Sequence, residues 1–111
     1  MKKKIFDSYA EAVASHFNLS LNELFKKTKK RDIVDARQML YFLCLERPMR
    51  ISSIVRFLNE YGYDVGYSTI YNGYNRAIKN LKDEDYSSII NEVKKSDVYP
   101  RKLIPTGTQR E

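Results

Sequence analysis

Five cations stand within six residues at Lys26, Lys27, Lys29, Lys30 and Arg31. So many like charges in one short segment repel each other unless counter-charge arrives, and a row of phosphates is the partner that suits them. A second polar group follows at Tyr67, Ser68, Thr69, Tyr71, Asn72, Asn75, Arg76 and Lys79, with no acid before Asp83. Asn can bond an adenine edge in two places, Arg and Lys can bond guanine or phosphate, and Ser or Thr can reach either. The chemistry of the two groups together is that of nucleic-acid recognition. The plainer reading of each is a solvated loop and a solvent-facing helix that happens to lack acids.

Catalysis has much less to stand on. His16 is the only histidine and Cys44 the only cysteine, so no metal-ligand set is recognisable and no metal or cofactor is expected. The acids Asp83, Glu84 and Asp85 cluster at a helix start, where the helix dipole accounts for them. A non-enzyme is expected, with no small-molecule substrate.

At 111 residues and 42% hydrophobic content the chain has room for one small domain with a modest core. Its net charge of +6 and pI near 9.4 favour a polyanion, nucleic acid before an anionic membrane surface. One cysteine cannot form an internal disulfide, which fits a reducing compartment, and Cys44 lies in the apolar run Phe42, Leu43, Cys44, Leu45 as a small buried hydrophobe would. The N-terminal MKKKIF starts like a signal peptide but meets Asp7 and Glu11 instead of a long apolar region, and no later stretch is of membrane-spanning length. A cytoplasmic protein without a membrane partner is expected, with Lys2 to Lys4 as a frayed lead-in.

The elements that must position these residues read as helices throughout. Ala10, Val13, Ala14 and Phe17 recur at helical spacing and predict a first helix over about 7–16. Ser20 and Glu23 match a capping box that opens a short helix to Phe25. The basic loop follows and leads, with Asp32 as N-cap, into a central helix to about Glu46, apolar on nearly every face over its far half. Arg47 and Pro48 end it. A fourth helix runs over about 51–61 with Ile51, Ile54, Val55, Leu58 and Tyr61 inward, and Gly62 stops it. Ser68 is the expected N-cap of the fifth helix, over about 68–82, which buries Ile70, Tyr74, Ala77, Ile78 and Leu81. Gly73 within it implies a close helix crossing or a close DNA approach, since glycine costs about 1 kcal/mol in a helix. A sixth helix spans about 85–95, packing Ile89, Ile90 and Val93. Residues 96–111, with Pro100, Pro105 and Gly107 among basic residues, are expected to form a flexible basic tail. The fold class is all-α: a small bundle of about six helices containing a helix-turn-helix, with residues 1–95 as the domain.

The segment KKTKKRDIVDARQMLYFL is similar to the basic loop and following helix, with its Ala-Arg-Gln signature, of the C-terminal DNA-binding domain of the bacterial replication initiator DnaA, a Trp-repressor-like helix-turn-helix domain. VASHFNLSLNELF resembles that family's first two helices, and YSTIYNGYNRAIKNL its recognition helix. The resemblance covers roughly residues 6 to 82. It implies that Arg31 enters the minor groove beside Lys29 and Lys30, that Arg37 and Gln38 hold the DNA backbone, and that Ser68 and Thr69 meet bases in the major groove. The family's acid and histidine before the Ser/Thr pair are here Gly66 and Tyr67, and its Leu-Pro-Glu-Ile start of the preceding helix is replaced around Ile51, Ser52, Ser53 and Ile54. The box sequence read is therefore open. No Gly-rich Lys-Ser/Thr phosphate loop occurs, so the family's ATPase function is not expected.

The leading expectation is a stand-alone, sequence-specific binder of double-stranded DNA acting in replication initiation or its regulation, in origin binding, or in transcription regulation. The alternative is a protein–protein interaction module that kept the fold and uses exposed Tyr63, Tyr67 and Tyr71 as anchors. The oligomeric state is open, with a monomer among the options.

Overall fold

The computed structural model describes residues 2–95, and all of its regular structure is helical. The elements are α1 (Lys2–His16), α2 (Leu21–Leu24), α3 (Arg31–Glu46), α4 (Ile51–Glu60), α5 (Tyr67–Asn80) and α6 (Glu84–Lys95). The expected tail at 96–111 lies outside the described residues.

The centre is α3. Ala36, Met39, Leu40, Tyr41, Phe42, Leu43 and Cys44 are all buried, which no surface helix with one apolar stripe would allow. It packs chiefly against α5 and α1. Phe6, Val13, Leu24, Ile54, Leu58, Ile70 and Val93 close the core from the other five helices, all essentially without solvent contact. No helix among the described residues is long and apolar enough to cross a membrane.

Local chemistry sets several boundaries. At Ser20 the capping box is complete: the Glu23 amide donates to Ser20 Oγ at 3.1 Å and the Ser20 amide to Glu23 Oε1 at 2.9 Å. That hydrogen bonding, with the Ser20 amide as its largest contributor, holds the Glu23 carboxyl below its ordinary pKa. Helix α1 ends with Asn18 in the left-handed region (φ 58°), the Leu19 amide reaching back to Ala14 O at 2.8 Å. Gly62 (φ 82°) plays the same part after α4, where the Tyr63 amide bonds Leu58 O at 2.9 Å. Asp83 Oδ1 accepts from the Asp85 and Tyr86 amides and so caps α6.

Several expected boundaries move. Lys2 to Lys4 are not a lead-in but the first turn of α1, because Lys3 Nζ lies 3.0 Å from Glu60 Oε1 and 3.8 Å from Asp7 Oδ2 and sits over the Tyr61 ring. Asp32 is not the cap of α3: the Val34 amide already bonds Lys30 O at 2.9 Å, the helix begins at Arg31, and Asp32 falls in its first turn. Gly66, not Ser68, precedes α5, and no side chain caps it. Phe57, not singled out by its spacing, is buried against Phe6 with ring centroids 5.4 Å apart.

Helix α5 is also turned from its expected orientation. It buries Ile70, Gly73 and Ala77, whereas Ile78 is 41% exposed. Gly73 explains the rotation: with no side chain there, α3 comes close on that side, and a Cβ at Gly73 would fall 2.7 Å from Tyr41 Cδ2 and 3.4 Å from Gln38 Cγ. Of the two reasons for a mid-helix glycine, the helix crossing is the one the packing supplies. Tyr74 leans the other way, stacking on Phe42 at 5.7 Å and donating to Glu46 Oε2 at 2.7 Å.

Candidate nucleic-acid interface

A groove of about 800 Å³ runs between the first half of α3 and the exposed side of α5. Arg31, Val34, Asp35 and Gln38 form one wall; Asn72, Asn75, Arg76, Lys79 and Asn80 form the other. Both walls follow from helical spacing. On α3, residues 31, 34, 35 and 38 share a face, and on α5 so do 72, 75, 76 and 79. The Arg31 neighbourhood and the Asn72 surface thus open to the same side of the molecule.

Because α3 starts at Arg31, that side chain projects from a helix end and not from a loose segment. It is 89% exposed, with its Nε 3.8 Å from Asp35 Oδ2 one turn on. Lys26, Lys27, Lys29 and Lys30 are exposed in the preceding loop. The groove itself is cationic, carrying Arg31, Arg76 and Lys79 against the single carboxylate of Asp35. Partial burial raises the Asp35 pKa, with the charge of Arg31 opposing that rise.

On α5, Tyr67, Ser68, Thr69, Tyr71, Asn72, Asn75, Arg76 and Lys79 are all exposed. They divide by angle around the helix. Asn72, Asn75, Arg76 and Lys79 face the groove, while Tyr67, Tyr71 and Ile78, exposed by 51%, 52% and 41%, make an apolar edge beside it with the half-buried Tyr74.

Arg37 does not take the outward place that the resemblance gives it. It is 5% exposed and turned beneath the loop, where it donates from Nη1 to Lys26 O (3.0 Å) and Tyr63 Oη (2.5 Å) and from Nη2 to Thr28 O (2.7 Å). Its Cζ also lies 4.8 Å from the Tyr63 ring centroid. Helical geometry is the reason: Arg37 shares its side of α3 with the buried Tyr41, four residues on, and is drawn inward, while its neighbour Gln38 stays half-exposed on the groove wall. Tyr63, one of the tyrosines expected outside, is only 9% exposed for the same contact.

The sequence reading did not single out Val34, Asp35 and Asn80 on the groove walls, nor the inward role of Tyr63. Asp35 lies four residues after Arg31, so the i, i+4 rule alone places them together. Tyr63 gave no such signal, because its partner is 26 residues away. Among the described residues no group of three His, Cys, Asp or Glu side chains could hold a metal ion. Cys44 is fully buried and its thiol pKa is pushed up by that burial, which leaves it inert.

No curated protein matches the chain, and no solved structure does. The model of the bacterial dnaA protein helix-turn-helix family matches residues 7–62, which runs from within α1 through α4 to Gly62 and stops short of α5. That stretch holds the capping box, the basic loop, the central helix and the first helix of the helix-turn-helix. The match spans just over half of the sequence, and the chain belongs to the bacterial DnaA helix-turn-helix family.

Proposed function

We propose that this chain binds double-stranded DNA with sequence preference, laying α5 in the major groove and the loop of Lys26, Lys27, Lys29, Lys30 and Arg31 against the adjoining minor groove. The single observation that carries the reading is the shared groove: Arg31, at the start of α3 directly after the loop lysines, and the amide-rich face of α5 line the two walls of one cationic trough. Membership of a helix-turn-helix family supports the same docking mode. In this arrangement the lysines and Arg31 neutralise phosphates, Gln38 and Lys79 meet the flanking backbone, and Ser68, Thr69, Asn72, Asn75 and Arg76 face base edges. Tyr67 and Tyr71 offer ring edges to thymine methyl groups or sugars. The family points to replication initiation, origin binding or its regulation as the setting, with transcription regulation as the second outlet, in the cytoplasm. No catalytic step is assigned.

A labelled duplex titrated at two salt concentrations, with random and DnaA-box sequences side by side, tests the reading. Neutralising about five to seven phosphates gives a slope of log affinity against log salt of roughly −5 to −6. Absence of binding at low salt would refute it. The second reading, a protein-interaction module, draws on the apolar edge of Tyr67, Tyr71 and Ile78. It loses Tyr63, which is buried. A folded protein that binds no duplex at low salt favours this alternative use of α5.

A further inference from the structure

We propose that Arg37 and Tyr63 form a positioning pair that sets the distance between the basic loop and the turn ahead of α5, so that the two meet a duplex as one rigid unit. The inference rests on the DNA-binding reading above. Its starting point is the cost of Arg37 to the fold. A buried guanidinium is expensive to desolvate, and here its hydrogen-bond acceptors are the neutral oxygens of Lys26, Thr28 and Tyr63 rather than a carboxylate. An apolar side chain of similar volume would serve packing as well or better.

What the apolar side chain could not do is connect three segments. The guanidinium is a planar fork of five N–H donors, able to bond several acceptors in fixed directions. One nitrogen, Nη1, holds both Lys26 O of the loop and Tyr63 Oη of the α4–α5 connection, while Nη2 holds Thr28 O. The loop's exposed lysines repel each other and would otherwise favour a spread of conformations. Fixing two carbonyls on either side of Lys27 removes that freedom before DNA arrives. It thereby lowers the ordering cost of binding. The Tyr63 bond then ties the same anchor to the segment that sets where α5 begins. Arg37 and Tyr63 touch no base in this account; they act through the loop and the turn.

Two variants test it: Arg37→Met, which keeps nearly the same volume without the donors, and Tyr63→Phe, which keeps the ring over Arg37 and removes the hydroxyl that Arg37 and Tyr41 share. In the free protein, backbone ¹⁵N order parameters at Lys27 to Lys30 are expected to fall from about 0.85 toward 0.6 or lower in Arg37→Met, and less far in Tyr63→Phe, with α1 and α4 unchanged. On a random-sequence duplex the salt slope is expected to shrink by about 2 and affinity to drop about tenfold, as the loop cations stop acting together. Unchanged loop order parameters in folded variants would overturn the pair's role, and so would a loosened loop with an unaltered salt slope. If Arg37→Met does not fold, Tyr63→Phe decides by the same measurements. Wild type that binds no duplex would instead overturn the DNA reading, and the order parameters would still decide whether the pair holds the loop.

Discussion

Gly73 of α5 rests against the ring of Tyr41 of α3 with no room for a methyl group between them: a Cβ built there comes within 2.7 Å of Cδ2 and 3.1 Å of Cε2. Tyr41 is buried and cannot swing into solvent to make space. Replacing a mid-helix glycine by alanine ordinarily stabilises a helix by about 1 kcal/mol. Overpacking a tight contact costs about 1–3 kcal/mol. Gly73→Ala is therefore expected to lower stability by about 1 kcal/mol, and chemical denaturation at neutral pH measures it. A gain in stability would mean that α3 and α5 can part without cost, and the groove they form would then have no fixed width.

In the proposed complex the two walls of the groove do different work. Arg31→Ala removes a charge aimed at phosphates or the minor groove, so affinity should fall on every duplex and the salt slope should lose about one unit. Asn72→Ala removes a proposed base-reading group and should narrow the gap between preferred and random sequence by about 1–3 kcal/mol while changing the slope little. Competition binding with the two duplexes at two salt concentrations separates these outcomes. Identical behaviour of both variants and wild type would remove the groove from the DNA interface.

All six helices were legible because each carries a local signal: the apolar run of α3, the Ser20–Glu23 box, Gly62 at the end of α4. The signals that failed were those set by partners distant in sequence. Lys3 joins α1 because Glu60 and Tyr61 wait for it, and nothing within MKKK announces them. Ile78 was expected inside from its spacing, yet the absence of a Gly73 side chain lets α3 approach and rotates α5 so that Ile78 emerges. The site divides in the same way. The exposed cations and the polar face of α5 were readable by type and period. The inward turn of Arg37 was not, since the Tyr63 hydroxyl and the loop carbonyls that receive it come together only in the folded chain.

Buried hydroxyls give the fold an alkaline limit. Burial, first among the causes, raises the pKa of Tyr41, Tyr86 and Cys44, and brings Tyr61 to about 12; the bond to Glu46 raises Tyr74. A group whose folded pKa exceeds its unfolded value binds its proton more tightly in the native state, so its contribution is complete below the unfolded pKa and is lost as pH rises. The unfolded values are about 8.5 for Cys and 10 for Tyr. Stability is expected to be flat through neutral pH and to decline from about pH 9, by up to about 1.4 kcal/mol per pH unit for each fully buried group. Urea unfolding between neutral pH and about pH 11 tests this. A stability that held constant across that range would contradict the burial of Tyr41 and Cys44.

Asp35 is the one acid on the groove walls, and its position sets it against the proposed partner. Its carboxylate lies 3.8 Å from Arg31 and lines the same trough as Arg76 and Lys79, so in the free protein it offers Arg31 an internal counter-ion. DNA must take Arg31 from it and bring phosphates near an uncompensated negative charge. At about 8 Å in a water-like medium, each such repulsion is of order 0.5 kcal/mol, growing as water is excluded. Asp35→Asn should therefore raise affinity about two- to fivefold at low salt, with the gain shrinking as salt screens it. Because burial raises the pKa of Asp35, its charged form is disfavoured by the fold, and the neutral amide should leave thermal stability equal or slightly higher. Fluorescence-anisotropy titrations of both proteins across a salt series would show the effect. A weaker complex from Asp35→Asn would mean that the carboxylate accepts a hydrogen bond from DNA, a cytosine amino group being the natural donor, and the competitor role would have to be abandoned.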